Sequence, residues 1–196
     1  MTVIGLCGKS GAGKSTVSEM MERLGAAVID TDKIYRELCV PGSDCLSEIT
    51  ARFGDVLCSD GTLDRKKLSA IVFSDESALC DLDKITHKYI RAETEARLKK
   101  YERLGYRAAV VDAPLLFESG FDALCDYKIS VIASDKYYVP RIMSRDGIDE
   151  AAARERLMSQ TDEDRLREMS DYVIENDGGT DELYSHVKAI YEKITA

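Results

Sequence analysis

The chain has 196 residues, 44% hydrophobic and 32% charged, with 13 Gly, 3 Pro and a formal net charge of −9. That is one domain with room for an insertion, long enough to bury about 70% of its unfolded surface, and it excludes a disordered tail, a collagen-like fibre and a low-complexity linker. The acidic balance excludes a bulk field for nucleic acid or an anionic membrane, so any bound phosphate has to be held locally.

In chain order, residues 3–7 read as a short strand ending at Gly8. They run straight into Gly8 and Lys9 instead of into a secretory leader. No apolar run approaches the ~18 residues of a membrane span. A soluble, cytoplasmic monomer with no nucleic-acid or membrane partner is expected. Val17, Met20, Met21 and Leu24 follow at i, i+3, i+4 and i+7 of a helix over 14–24, closed by Gly25. Residues 26–30 read as a second strand. A helical stretch is expected over 43–104, broken near Gly54 and Gly61 and ending at Gly105. Residues 108–111 form a third, buried strand that delivers Asp112 at its carboxyl end. Residues 129–133 are a fourth strand and 172–174 a fifth. In the helix after the fourth, Pro140 is expected to kink the chain or to delay the helix start to about Val139. Residues 146–170 are charged on most faces, which fits a solvated surface helix or a mobile lid. The last helix repeats Leu183, Val187, Ile190 and Ile194, with Thr180 as its N-cap. Apolar strands alternating with helices make an α/β fold with a five-stranded parallel sheet covered on both faces.

The six cysteines (Cys7, Cys39, Cys45, Cys58, Cys80, Cys125) contain no CxxC pair, and His87 and His186 are far apart in sequence. A four-ligand zinc site is therefore not expected, and reduced, buried thiols are. The informative motif is Gly8-Lys9-Ser10-Gly11-Ala12-Gly13-Lys14-Ser15, which fits G-x-x-x-x-G-K-[ST] between a strand and an amphipathic helix. Its glycines let backbone N–H groups surround a phosphate at a helix N-terminus. Lys14 can reach the β- and γ-phosphates, and Ser15 can ligate Mg²⁺. Neither an N-K-x-D nor a D-x-x-G motif is present, which favours a small-molecule kinase over a GTP switch. Asp30 and Asp32 stand at the carboxyl end of the second strand, where at most one of them need face the phosphates. Asp32 then serves as a general base or holds Mg²⁺ through water, while Asp30 caps the next helix. Asp112 matches a Walker B acid for Mg²⁺, and Pro114-Leu115-Leu116-Phe117 offers apolar surface to a substrate. Arg141 and Arg145, at i and i+4, can close over a transferring phosphoryl group.

Several segments together resemble the dephospho-coenzyme A kinase family across nearly the whole chain. They are Gly5 through Val17, Val28 through Arg36, Pro41-Gly42-Ser43, Arg52-Phe53-Gly54, Asp60 through Arg65, His87, Asp112 through Glu118, Arg141 through Arg145, Gln160, and Asp171 through Asn176. The resemblance implies a P-loop NTPase fold with its nucleotide core at about 1–34, 106–139 and 171–196. It also implies a helical acceptor-binding insertion at about 35–105 and a helical lid at about 140–170, all within one domain. The implied reaction moves the γ-phosphoryl of ATP, with Mg²⁺, to the ribose 3′-hydroxyl of dephospho-coenzyme A. By position, Gly11, Ala12, Gly13, Lys14, Ser15 and Thr16 would hold ATP, helped by Arg145 and by Asn176 near the adenine. Lys14, Asp32 and Arg141 would be catalytic. Asp32, His87, Asp112, Leu115, Leu116 and Phe117 would face the acceptor. Ser15 would ligate the metal, with Asp112 as a second ligand. The chain departs from the family's common pattern at Lys9-Ser10 (Gly-Ile), at His87-Lys88 (His-Pro) and at Tyr138 (Gln). A nucleoside or nucleoside-monophosphate kinase shares the loop, strand-end acid and lid, and a non-catalytic nucleotide-binding regulator would share the loop alone.

Overall fold

A computed structural model describes all the residues, Met1–Ala196. They form two compact units: Met1–Ile29 with Tyr101–Ala196, and Asp30–Lys100.

The first unit is built on five parallel strands: β1 (Thr2–Gly8), β2 (Ala27–Asp30), β3 (Ala108–Asp112), β4 (Tyr127–Ile132) and β5 (Tyr172–Glu175). Their order is β2-β3-β1-β4-β5. The runs are mostly apolar because both faces are covered. Ile4, Leu6, Val110, Val111, Ile129 and Val131 are fully buried. Helices α1 (Lys14–Arg23) and α9 (Thr180–Thr195) contribute Val17, Met21, Val187 and Ile194 to the same core. β1 is central, with Leu6 beside Asp112 of β3 and Gly8 beside Val131 of β4. The glycine-rich turn therefore leaves the sheet at the carboxyl end of its middle strand, where ligands of open α/β sheets bind. Gly5 lies under Leu116 and Cys125, whose atoms would be 2.8 and 2.9 Å from an added Cβ.

The same unit carries α6 (Asp135–Asp146), α7 (Glu150–Met158) and α8 (Glu163–Met169). Val139, Ile142 and Ala153 bury a small core between the first two of these. Three expectations are corrected here. Pro140 lies inside α6, which starts at Asp135, so the helix start is not delayed to about Val139. The proline is exposed, as is Lys136 four residues earlier, so the hydrogen bond lost to the ring belongs to a solvated stretch of the helix. Gly179, not Thr180, is the N-cap of α9. Two of the six cysteines, Cys58 and Cys80, are exposed, and only Cys7, Cys39 and Cys45 are fully buried.

The second unit is helical: α2 (Thr31–Leu38), α3 (Asp44–Phe53), α4 (Arg65–Val72) and α5 (Glu76–Arg103), the last running past the unit's end. Its helices start at side-chain caps. Asp30 accepts from the Lys33 N–H at 2.9 Å, Ser43 from Leu46 at 3.2 Å, and Asp64 from Lys66 and Lys67 at 3.1 Å. Leu46, Ile49, Val56, Leu68, Val72 and Ala78 make its core. The long helical stretch thus divides three ways. A bridge from Leu57 to Leu63 closes the Gly61 turn, and a further break at 73–75 precedes α5. No helix in the chain is long and apolar enough to cross a membrane.

Candidate active site

Between β1 and α1 the backbone turns twice through conformations open to glycine, at Gly11 (φ +83°) and Gly13 (φ +93°). Neighbours also exclude a side chain there. A Cβ on Gly11 would lie 2.8 Å from the Tyr138 carbonyl oxygen, and one on Gly13 would run into the side-chain amide of Asn176. The loop's carbonyls are held from outside. Asn176 Nδ2 donates to the Ala12 oxygen at 2.8 Å. Arg141 donates to the Gly11 oxygen at 3.2 Å and to the Asn176 oxygen at 3.0 Å, its guanidinium 4.8 Å from the centre of the Tyr137 ring. The N–H and C=O of one peptide point in opposite directions, so fixing the Ala12 carbonyl aims the Gly13 N–H away from Asn176. Gly13 is the N-cap of α1, with no side chain capping it and no acid in the first turn. The first N–H groups of α1 accordingly keep their donor capacity and their partial positive charge for an external acceptor.

Lys14 projects from the first turn of α1 onto Asp112, which the β1–β3 register sets one strand away. The two form an ion pair with side chains only 17% and 9% exposed. Ser15 and Thr16, next along the helix, are exposed. The Ser15 hydroxyl and the Asp112 carboxylate are hard oxygen donors of the kind a divalent cation such as Mg²⁺ takes. Leu115 is half exposed and Phe117 partly so, but Leu116 is fully enclosed over Gly5 and presents no surface to a ligand.

The two arginines of α6 part company. Arg141 reaches the loop, whereas Arg145 pairs with its neighbour Asp146 at 2.7 Å. Arg145, helped by Arg156, holds the Asp146 carboxyl down at about 2. Tyr138 is a core residue whose hydroxyl oxygen accepts from the Ala133 N–H at 3.0 Å. Burial pushes that phenol well above its ordinary value. Two polar contacts were not anticipated from the sequence. The Ser10 N–H donates to Gln160 Oε1, and Gln160 Nε2 donates to Ser10 Oγ, both at 2.9 Å. They tie the glycine-rich loop to the segment between α7 and α8. Gln160 is among the residues that carry the family resemblance, but no local spacing pairs residues 150 apart.

In the second unit, Asp32 is exposed in the first turn of α2. Asp32 is not at a strand end as expected, because the strand ends at Asp30 and Asp32 is already helical. Asp30 is the cap, as expected. His87 lies on α5 with Nε2 3.9 Å from Asp83 Oδ1. Lys88 and Tyr89 both bond Glu48 of α3, at 2.7 and 2.8 Å. Lys88 is therefore a strut between α3 and α5.

A family model described as dephospho-CoA kinase matches residues 2–182. The chain belongs to the dephospho-CoA kinase family. A dephospho-CoA kinase of Syntrophotalea carbinolica is 40% identical over 195 residues, covering 99% of this chain and 92% of that one. Among solved structures, one titled TT1252 from Thermus thermophilus superposes with a TM-score of 0.84 at 28% identity, covering 100% of this chain and 98% of the other. A dephospho-CoA kinase from Campylobacter jejuni does so at 0.72 and 28% identity, over 98% and 96%. Membership of this family carries ATP use with it.

Proposed function

We propose that this chain transfers the γ-phosphoryl group of ATP to the ribose 3′-hydroxyl of dephospho-coenzyme A, giving coenzyme A and ADP. The observation that carries the reading is the uncapped start of α1, framed by Gly11 and Gly13 and backed by Lys14 and Asp112, in a chain of this family. In-line phosphoryl transfer asks the protein for alignment, charge neutralisation and exclusion of water more than for covalent work. The N–H groups of residues 13–16 hold the polyphosphate, and Lys14 carries positive charge to its β- and γ-oxygens. Mg²⁺ bound with ATP would sit at Ser15 with Asp112 as second ligand, where it supplies further positive charge to the phosphates. Arg141 steadies the loop and stands ready for the charge that develops on the transferring group. Asn176 fixes the loop's backbone through Ala12, a positioning role that its bonds favour over contact with the adenine. Asp32 takes the proton of the attacking hydroxyl. His87, Leu115 and Phe117 contribute to the acceptor side, and α7 and α8 act as the lid.

The test is ADP release with dephospho-coenzyme A against a panel of nucleosides and nucleoside monophosphates, with the phosphorylated position mapped. Turnover confined to dephospho-coenzyme A, with phosphate on the 3′-oxygen, is expected. Preferential turnover of a nucleoside or nucleotide would overturn the assignment in favour of the related small-molecule kinases.

A further inference from the structure

Two of the six free cysteines are placed as a pair. Cys39 closes the C-terminal end of α2 and Cys45 lies in the first turn of α3. The loop between them folds back so that the sulfurs lie 3.9 Å apart, on residues 6% and 2% exposed. That closeness does not depend on the thiols. Ser43 Oγ donates to the Leu38 carbonyl at 2.6 Å while accepting from the Leu46 N–H, which already fixes the end of α2 against the start of α3. The two sulfurs also differ chemically. The Cys45 thiol and the Tyr35 hydroxyl bond to Cys39, and Arg65, 5.1 Å from the Tyr35 ring centre, adds positive charge. These hold the Cys39 thiol below its ordinary value, while the shared bond and burial push Cys45 up. Of the two sulfurs, Cys39 is thus the readier to lose its proton and Cys45 the readier to keep it.

We propose that Cys39 and Cys45 form a peroxide-sensitive dithiol, a modification site on the helix that carries Asp32, whose closure to a disulfide slows phosphoryl transfer. The oxidant is hydrogen peroxide, small enough for a buried site. The Cys39 thiolate attacks one peroxide oxygen and the O–O bond breaks. The departing hydroxide takes up a proton as water, leaving Cys39 as a sulfenic acid. Cys45 then gives up its proton and attacks the Cys39 sulfur. The S–O bond breaks, a second water leaves and the S–S bond forms. Two thiols have lost two electrons to one peroxide, and a dithiol reductant reverses the change. Closing from 3.9 Å to the ~2.05 Å of a disulfide requires roughly 1.9 Å of approach, shared between side-chain rotation and movement of the α2 end. α2 has only 8 residues, with Asp32 at its second position, so movement at one end is passed to the other. This consequence for turnover rests on the role proposed above for Asp32; the thiol chemistry does not.

The experiment treats the full chain with hydrogen peroxide, blocks remaining thiols by alkylation and maps tryptic peptides, while ADP release with dephospho-coenzyme A is followed in parallel. Residues 37–52 fall in one tryptic peptide that contains both cysteines. It is expected to lose two hydrogens before the exposed Cys58 or Cys80 is modified, and dithiothreitol is expected to restore it. In Cys45→Ser, Cys39 is expected to be trapped by dimedone as the sulfenic acid. Oxidation should lower turnover by about tenfold or more, as expected for a shift on the ångström scale at a reacting group. The Cys39→Ser/Cys45→Ser variant should keep its activity through the same treatment. Prior oxidation of Cys58 or Cys80, or retention of both thiols in peptide 37–52, would overturn the dithiol. Disulfide formation with unchanged turnover would overturn its effect on the reaction. If the reduced chain fails to turn over dephospho-coenzyme A, the proposed function fails, while peptide mapping still decides the dithiol.

Discussion

Removing one partner of the Lys14–Asp112 pair takes the opposite charge away from its mate between β1, β3 and α1. For a fully buried pair that costs about 3–5 kcal/mol, and with side chains 17% and 9% exposed a discounted cost of about 2–3 kcal/mol is expected. Lys14→Met keeps the length and apolar stem of the side chain, so its cost reports the ammonium and not a cavity. For a chain of this length, at roughly 2–4 °C per kcal/mol, the variant should melt about 5–10 °C below the wild type. Asp112→Asn removes the opposite charge at nearly constant shape and should also destabilise. The decisive readout is the cycle. In the double variant neither charge is left, so its cost should fall short of the sum of the two single costs by roughly 1.5–3 kcal/mol. Thermal and urea unfolding of the four proteins measure this, and all three variants should have lost at least about 10²-fold in kcat because Lys14 or its setting is gone. Single variants that each cost less than about 0.5 kcal/mol and add without coupling would refute the pair as a buried electrostatic unit.

Gly13→Ala should abolish ATP uptake and lower the melting temperature by several degrees. Its Cβ meets Asn176, and the backbone conformation costs a side chain about 1–2 kcal/mol; calorimetry and a thermal scan check both effects. Gln160→Ala loses two hydrogen bonds and Ser10→Ala only one, at about 1 kcal/mol each. Hydrogen exchange over residues 159–162 should therefore accelerate more in the first variant, and equal rates would remove the link from loop to lid. Tyr138→Phe strands the Ala133 N–H and should cost about 1–2 kcal/mol in urea unfolding. The Asp146 carboxyl is depressed in the folded chain, so its contribution to stability is present above the unfolded value of about 3.9 and lost as pH falls through about 2. A carbon NMR titration of Asp146 should show that low midpoint, and Arg145→Ala should move it up toward ordinary values.

The features legible in the sequence were those imposed by local physics. Residues such as Val110 and Ile129 must be apolar because both faces of their strands are covered, and Gly11 and Gly13 must be glycine because the turn and its neighbours admit nothing larger. The apolar run of the third strand likewise placed Asp112 at its carboxyl end. Illegible features came from partners distant in sequence. Leu116 looks like an exposed apolar residue until the hole left by Gly5 on β1 is known, and nothing near residue 160 announces that Gln160 will meet Ser10. Arg145 has the same helical phase as Arg141, yet Asp146 beside it offers a nearer charge. Asp32 reads as a strand-end acid, but the chain turns helical at Thr31, so Asp32 belongs to the first turn of α2. Thr180 carries a good capping side chain, but the helix begins one residue before that side chain could act as its cap.

The most direct test is isothermal titration of the chain with ATP and Mg²⁺. One nucleotide per chain is expected to bind, with the amide resonances of residues 11–16 shifting as it does. An absence of heat, or uptake that leaves those amides unmoved, would contradict the claim that the start of α1 is where this protein grips a triphosphate.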